Sequence, residues 1–185
     1  SKKDDRIMTY VIPSGFPDKI PPIITAVNLG EYSIVNVDKL DRFLGEQIVA
    51  LDLLQLDKGF LLHSYGVESE ALKSLLKNTV ASSFKVEQNI ESLKESISSL
   101  SSVKRDGPTI IHIDNIFNVK GVGVVVLGML KQGVIKAHDE LILFPQKKTV
   151  TVKSIQMHDK NVDESHSPAR VGLALTGVSF DEISR

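Results

Sequence analysis

The spacing of the apolar residues changes near residue 103, and this change limits what the chain can fold into. Before it, short apolar runs alternate with stretches whose apolar residues recur every three or four positions. After it, only short strand-like runs remain, separated by turn residues. Strands alternating with helices predict a mostly parallel sheet, whereas closely spaced short strands predict a barrel or sandwich. We therefore predict an α/β domain over residues 1–102 and an all-β domain over residues 103–185.

The first domain is predicted to alternate four strands with four helices. The first of these helices has proline at its start and glycine after its end. In the next helix, Leu44, Ile48 and Leu51 lie on one face. The strands are expected at residues 8–12, 33–37, 60–63 and 79–84, and the helices at residues 23–29, 41–54, 69–76 and 86–100.

The second domain is predicted to consist of short strands. In one of them Val150, Val152 and Ile155 point inward while Lys153 points outward, which is typical of a strand with one buried face. The strands are expected at residues 110–114, 123–128, 140–144, 149–155 and 169–175.

The amino-acid composition excludes several kinds of functional site. The chain of 185 residues has no cysteine, which excludes disulfides, thiolate metal sites and a cysteine nucleophile. Its net charge is −1, and no apolar run is long enough for a membrane span, so we expect a cytoplasmic protein without a membrane partner. His112 and Asp114 alternate on one strand face but lack a third ligand, so no metal site is predicted. No G-x-S-x-G elbow occurs, and no catalytic residue is predicted.

The strongest resemblance lies in the second domain. The run from Phe117 to Gly128, then residues 133–136, 139–141 and 171–185, resembles domain 2 of translational GTPases such as elongation factor Tu, elongation factor 1-alpha and the selenocysteine-specific factor. The resemblance implies an elongation-factor-type β-barrel that helps to hold an aminoacyl-tRNA end and touches the small ribosomal subunit. Its expected partners are the ribosome, tRNA or a translation factor.

Basic side chains of this barrel are the candidates for RNA contact, since lysines at turns meet phosphates as point charges. An ordinary solvated surface is the alternative interpretation. The candidates are Lys131, Lys136, Lys147, Lys148, Lys153 and Arg170.

The first domain follows the element order of a GTPase domain without its motifs. No Gly-Lys pair occurs for a phosphate loop of the form GxxxxGK[ST], and no DxxG occurs; residues 12–15 stand at the equivalent strand end. Residues 63–66 stand where the guanine-reading NKxD is expected, while residues 38–41 only look like it and follow an earlier strand. Ser82 and Ser83 occupy the expected base-contacting serine loop, or simply begin a helix. The weak nucleotide candidates are Asp38, Lys39, Asp41, Ser82 and Ser83.

Three functions remain open. The favoured one is an elongation-factor-like protein with a degenerate GTPase-like domain, which binds tRNA or ribosome without hydrolysing GTP. The second is a fragment of an active GTP-binding elongation factor. Truncation would explain the missing phosphate loop, but it does not explain the missing DxxG and NKxD, and for this reason the degenerate domain is favoured. The third is a protein–protein interaction module. No cofactor is expected from this chain, and GTP or GDP binds only if a preceding segment supplies a phosphate loop.

Overall fold

The computed structural model describes residues 2–3, 6–63, 69–102 and 104–183. The chain divides into two compact units, residues 1–101 and residues 102–185, called here the first and the second unit. Among the described residues, no helix combines the length and apolar character needed to cross a bilayer.

The first unit contains short strands and helices in alternation. Asp41 and Asn89 cap two of the helices, since their side chains accept from the backbone N–H of Leu44 and Ser92. The elements are β1 (Lys2–Lys3), β2 (Arg6–Ile7), α1 (Pro21–Leu29), β3 (Ser33–Val37), α2 (Arg42–Leu53), β4 (Gly59–His63), α3 (Ser69–Leu76), a 3-10 helix (Val80–Ser83), β5 (Lys85–Glu87) and α4 (Ile90–Ser98).

Three of these strands form a parallel sheet in the order β3-β4-β5. Val35, Val37 and Leu61 belong to one core, which also holds buried residues of α1, α2 and α3. Phe60 packs instead in a smaller core with Leu93 of α4. Because successive side chains of a strand point to opposite faces, helices cover both faces of this small sheet.

Three expectations for the first unit are corrected. Residues 8–12 form no strand, and Ile12 is 83% exposed, since an extended segment becomes a strand only by pairing with another. Residues 79–84 contain the 3-10 helix rather than a strand, because the hydroxyls of Ser82 and Ser83 donate to nearby carbonyls. The last helix begins at Ile90, not at residue 86, because Asn89 is its N-cap.

The second unit is almost entirely antiparallel. Its elements are β6 (Ile110–Val119), β7 (Gly123–Gln132), β8 (Val134–Lys136), β9 (Glu140–Leu143), β10 (Lys148–Met157), β11 (Lys160–Val162), β12 (Glu164–His166), β13 (Ala169–Thr176) and α5 (Phe180–Ile183).

Six strands of this unit form one curled sheet. Its order is β11-β10-β13-β7-β6, with β9 also paired to β10, while β8 and β12 form a separate ribbon. Its concave side encloses a core that includes Val126, Leu130, Val152 and Ile155. In the described chain, no strand ladder joins β6 to β9, so the expected barrel is an open half-barrel.

A bulge in β10 explains the spacing seen in the sequence. The pairing of β10 with β13 shifts between Val152 and Ser154, which leaves Lys153 as the extra residue. Val150, Val152 and Ile155 are therefore all buried although the last two are three residues apart, and Lys153 is exposed. The predicted inward and outward directions of these four side chains are confirmed.

Candidate nucleic-acid interface

The second unit carries an ordered array of side chains on the convex side of its sheet. Along β7, Val124, Val126 and Leu130 are buried, so the alternating residues Val125, Leu127 and Met129 point outward. The strand register aligns these with outward residues of β6, β13 and β10. We call this surface the outer face; its rows are His112, Met129 and Arg170, then Asn115, Leu127, Gly172 and Gln156, then Phe117, Val125, Ala174 and Ser154.

The centre of the outer face is apolar, and its side chains project little above the sheet. Gly172 has no side chain, and a Cβ there would lie 3.1 Å from Cδ2 of Leu127, so glycine lets the leucine lie close to the sheet. Phe117 stands at one end with 46% of its surface exposed. On the β10 side, Nε2 of Gln156 donates to Oδ1 of Asn161 at 3.0 Å. The outer face thus offers an aromatic ring and a flat apolar centre beside amide groups.

Arg170 is held by a carboxylate of the same face. Its Nη1 and Nη2 donate to Oδ1 and Oδ2 of Asp114 at 2.6 and 2.7 Å, an ion pair that spans β7 from β13 to β6. Asp114 lies where the β6 register shifts between Ile113 and Asn115, so a bulge turns its carboxylate toward the arginine. The side chains of Arg170 and Asp114 are only 25% and 13% exposed. Two of the five guanidinium donors are therefore used within the protein, which weakens Arg170 as a phosphate contact.

Asp114, which the sequence places on one strand face with His112, accepts hydrogen bonds from Arg170 with both carboxylate oxygens. Within the part of the chain that the structure describes, no group of three or more His, Asp or Glu side chains is placed to hold a metal ion.

The five lysine candidates lie around the sheet rather than on the outer-face rows. Lys136 lies 3.5 Å from Glu164, and Lys148 lies 2.6 Å from Glu182. The hydrogen bond from Lys148 and those from Ser179 lower the pKa of Glu182 to about 2, so this carboxylate stays charged near Lys148. Lys131 is half-buried on β7, whereas Lys147 in the turn before β10 and Lys153 at its bulge are exposed.

Two acidic candidates of the first unit serve its own backbone and side chains. Oδ1 of Asp41 accepts from the N–H of Leu44 at 3.0 Å as the cap of α2, and this bond is the main cause that lowers the pKa of Asp41. Lys39 lies 3.1 Å from the other carboxylate oxygen of Asp41. Asp38 accepts from Nδ2 of Asn36 at 3.0 Å. A capped helix start accounts for the look of an NKxD motif at residues 38–41. The other position considered for the NKxD motif is residues 63–66, of which only His63 lies within the described residues.

Ser82 and Ser83 lie at the edge of the sheet where its strands begin. Both precede β5, and Oγ of Ser83 donates to the carbonyl of Asp57, which precedes β4, at 3.2 Å. In open α/β sheets ligands bind outside the opposite, carboxyl ends of the strands. The structure therefore places these serines away from the edge where a nucleotide is expected.

A cavity of about 630 Å³ opens between β6 and β9 of the second unit. Ile113, Val126 and Leu173 are among its apolar lining residues, and Asp139 and Glu140 are among its acidic ones. Carboxylates repel phosphates, so the cavity suits RNA less well than the outer face.

The sequence-based candidates did not include the apolar residues of the outer face. A signal was present, because β7 is apolar at outward positions such as Val125, Leu127 and Met129 as well as at inward ones. A strand of an antiparallel sheet that is apolar on both faces indicates that its outer face is also covered or functional.

Comparison with known proteins agrees with the architecture of the second unit. Residues 123–185 match the family model of elongation factor Tu domain 2. An uncharacterised protein of Methanocaldococcus jannaschii is 35% identical over 187 residues, covering 100% of this chain and 60% of that protein. The selenocysteine-specific elongation factor of the same organism is 28% identical over 202 residues, covering 96% of this chain and 43% of that factor.

Solved structures show the same fold over most of the chain. Elongation factor SelB of Methanococcus maripaludis, in complex with a GTP analogue, gives a TM-score of 0.69 at 22% identity, covering 89% of this chain and 42% of that one. A bacterial selenocysteine-specific elongation factor gives 0.71 at 22% identity, covering 90% and 32%. The chain thus spans less than two thirds of each of these relatives.

The resemblance drawn from the segments between Phe117 and residue 185 is confirmed, with the family model beginning at residue 123. Residues 123–185 match elongation factor Tu domain 2, and the chain as a whole is similar in sequence and fold to selenocysteine-specific elongation factors.

Proposed function

We propose that this chain is an elongation-factor-like translation protein that binds tRNA or the ribosome through its second unit and does not hydrolyse GTP. The match of residues 123–185 to elongation factor Tu domain 2 is the observation that carries the proposal. A selenocysteine-specific elongation factor is similar to 96% of this chain, so a role in translation in the cytoplasm is the function we infer.

The outer face is the surface we assign to RNA. Single-stranded nucleic acid binds to exposed aromatic rings and flat apolar surfaces, with basic groups nearby for the phosphates. Phe117 supplies an exposed ring, Gly172 keeps the centre low, and Gln156 supplies an amide at its margin. Around the sheet, the exposed Lys147 and Lys153 add positive charge. A single-stranded end, such as the acceptor end of a tRNA, fits this combination.

The first unit is proposed to be a degenerate GTPase-like domain. It retains a parallel sheet with helices on both faces, but Asp41 and Ser83 are engaged by the protein's own backbone. Helix α1 begins with Pro21 and Pro22, which lack the N–H groups that a helix start offers to an anion. These features support a fold that has lost nucleotide chemistry.

RNA binding is tested by fluorescence anisotropy with labelled aminoacyl-tRNA, selenocysteinyl-tRNA included, in a series of salt concentrations. We expect binding that weakens as salt rises, since phosphate contacts release counterions. Phe117→Ala is expected to weaken binding by about 1–3 kcal/mol at every salt concentration, because it removes stacking. Lys153→Gln is expected to reduce the salt slope by about one unit.

The matched control is Val49→Ala, which truncates an exposed side chain of the first unit. If Phe117→Ala binds tRNA with the same affinity as the unsubstituted chain, the outer face is not the RNA-binding surface. An absence of tRNA and ribosome binding at low salt would favour an interaction module. Titration with fluorescent GTP in Mg²⁺ tests the remaining alternative, because tight binding by this chain would make the protein a GTP-binding factor.

A further inference from the structure

The curled sheet of the second unit has two free edges. Strand β6 forms one edge, and β9, which pairs with the first residues of β10, belongs to the other. In the described chain, no strand ladder joins β6 to β9, and the cavity of about 630 Å³ lies between them. Its lining includes Ile111 and Ile113 of β6 and Leu141 and Leu143 of β9. Backbone pairing therefore does not hold this side of the half-barrel closed.

Helix α5 connects these two edges. On one side it lies against β6. On the other side, Nζ of Lys148, at the start of β10 beside β9, donates to Oε1 of Glu182 at 2.6 Å, and Nε2 of Gln146 donates to the carbonyl oxygen of Glu182 at 3.2 Å. Ile183 is only 7% exposed and packs, with Phe180, in the core of the half-barrel. The helix therefore bridges two edges that no strand ladder joins in the described chain.

The carboxylate of Glu182 is the joint of this bridge. Its Oε1 accepts from Lys148, while its Oε2 accepts from the backbone N–H and the hydroxyl of Ser179 at 2.8 and 2.9 Å. One carboxylate thus caps the start of α5, as in a capping box, and also ties the helix to β10. The side chains of Lys148 and Glu182 are 39% and 46% exposed, so water competes for the tie. Loss of this carboxylate therefore loosens the cap and the tie together.

We propose that α5 is a strap, which holds β6 and β9 together and opens as one piece while the sheet stays folded. The strap is four residues long and has one buried side chain, Ile183, whereas β13 at the centre of the sheet is paired on both sides, with β7 and with β10. A segment with few buried contacts opens at a lower free energy than the sheet as a whole. Opening lets β6 and β9 separate and widens the entrance of the cavity to a small apolar molecule. This device does not depend on RNA binding by the outer face.

Amide hydrogen exchange of the whole chain is the first test. Glu182→Gln removes the charge that meets Lys148 and is expected to speed exchange of the α5 amides about tenfold, since a cap and an ion pair are both weakened. Exchange in β9 is expected to rise with it, because β9 then lacks its link to β6. Exchange in β13 is expected to stay at the value of the parent chain.

Glu164→Gln is the matched control, because Glu164 also forms an exposed ion pair, with Lys136 at 3.5 Å, but on the separate ribbon of β8 and β12. Its side chain is 49% exposed, close to the 46% of Glu182. We expect exchange in α5 and β9 to equal that of the parent chain. Circular dichroism and thermal melting establish that both variants are folded.

A double-mutant cycle tests whether Lys148 acts through Glu182. Lys148→Gln alone is expected to speed exchange of the α5 amides severalfold, because it removes the tie and leaves the cap at Ser179 in place. In the Glu182→Gln chain the same substitution is expected to add nothing, since its partner is already gone. Equal effects of Lys148→Gln in both chains would show that the ion pair does not hold the strap, and would overturn the proposal.

The dye anilinonaphthalene sulfonate probes the cavity, because its fluorescence reports exposed apolar surface. Glu182→Gln is expected to bind more dye than the parent chain or Glu164→Gln, with chemical-shift changes at the lining residues Ile113 and Leu141. Equal dye binding by the three chains would mean that the strap does not control the cavity. Exchange that Glu182→Gln leaves unchanged in α5, or speeds equally in α5 and β13, would likewise overturn the proposal.

Discussion

Several polar side chains of the first unit bond to nearby backbone, whereas the ion pair on the outer face of the second unit joins distant strands. In the first unit, Asp41, Asn89 and Ser82 bond to backbone groups only three residues away. In the second, Arg170 and Asp114 join strands across 56 positions of sequence, and further polar groups lie in the rows of the outer face. In the described part of the first unit, the nucleotide candidates Asp41 and Ser83 bond to the protein's own backbone. The polar residues arranged by strand register make the second unit the better candidate for binding.

The largest expected effect separates the two cores. Leu130→Ala in the second unit and Leu61→Ala in the first each remove a buried side chain, of which 0% and 1% is exposed, respectively. Each is expected to lower the free energy of unfolding of its own unit by about 2–5 kcal/mol, since the cavity does not refill. Amide hydrogen exchange at increasing urea concentrations measures the free energy of unfolding of each unit separately.

Ile142→Ala is the control for the core pair, because 62% of Ile142 is exposed. We expect a change within about 0.5 kcal/mol. If either core variant speeds amide exchange equally in both units, the two cores do not stabilise their units independently.

The next effect tests the ion pair of the outer face. Asp114→Ala leaves the guanidinium of Arg170, of which 25% is exposed, without its carboxylate. We expect the second unit to lose about 1–2 kcal/mol of unfolding free energy, between the values for surface and buried pairs. Lys73→Ala breaks an exposed pair, with Glu70, and is expected to cost less than about 0.5 kcal/mol. Equal losses in chemical denaturation would mean that the Arg170–Asp114 pair acts as an ordinary surface pair.

A smaller effect tests the local use of polar groups in the first unit. Asn89→Ala removes the bond that its Oδ1 accepts from the N–H of Ser92 at 2.8 Å. Loss of such a cap is expected to cost about 1 kcal/mol and to speed exchange in the first turn of α4. Asn89→Asp keeps an acceptor and should retain the parent's stability. If alanine and aspartate behave alike, the cap does not hold the helix start.

The smallest effect is a pH dependence that both units share. Hydrogen bonds from Lys85 and then Ser96 lower the pKa of Glu87 from 4.5 to about 2, as those from Lys148 and Ser179 do for Glu182. A lowered carboxyl pKa stabilises the fold above the unfolded value and loses that stabilisation as pH falls through the folded value. The stability of both units should therefore decrease from about pH 4.5 toward pH 2.

Glu87→Gln and Glu182→Gln should each flatten this decrease in their own unit, as followed by chemical denaturation at several pH values. Added salt should reduce the contribution of Glu182 more, because its side chain is 46% exposed and that of Glu87 only 6%. Equal salt sensitivity would show that burial does not distinguish the two carboxylates.

Much of the fold was predictable because it depends on local patterns. Helical spacing in α2 and the alternation around Val150 and Val152 were read correctly, since each follows from which face is buried. Residues 8–12 and 79–84 were misread as strands, because an apolar run becomes a strand only when another strand pairs with it. The site was less predictable: the lysine candidates came from charge alone and remain a prediction.

The sequence by itself determined the change from alternating strands and helices to short strands, the start of α2 at Asp41, and the resemblance of the second unit to elongation factor Tu domain 2. These depend on residues close together in the chain or on a recognisable order of glycines and apolar residues. The tertiary structure decided the rows of the outer face, the Arg170–Asp114 pair and the strand order β3-β4-β5. Each of these requires knowing which strands are neighbours and in which register, and long-range hydrogen bonding alone sets that.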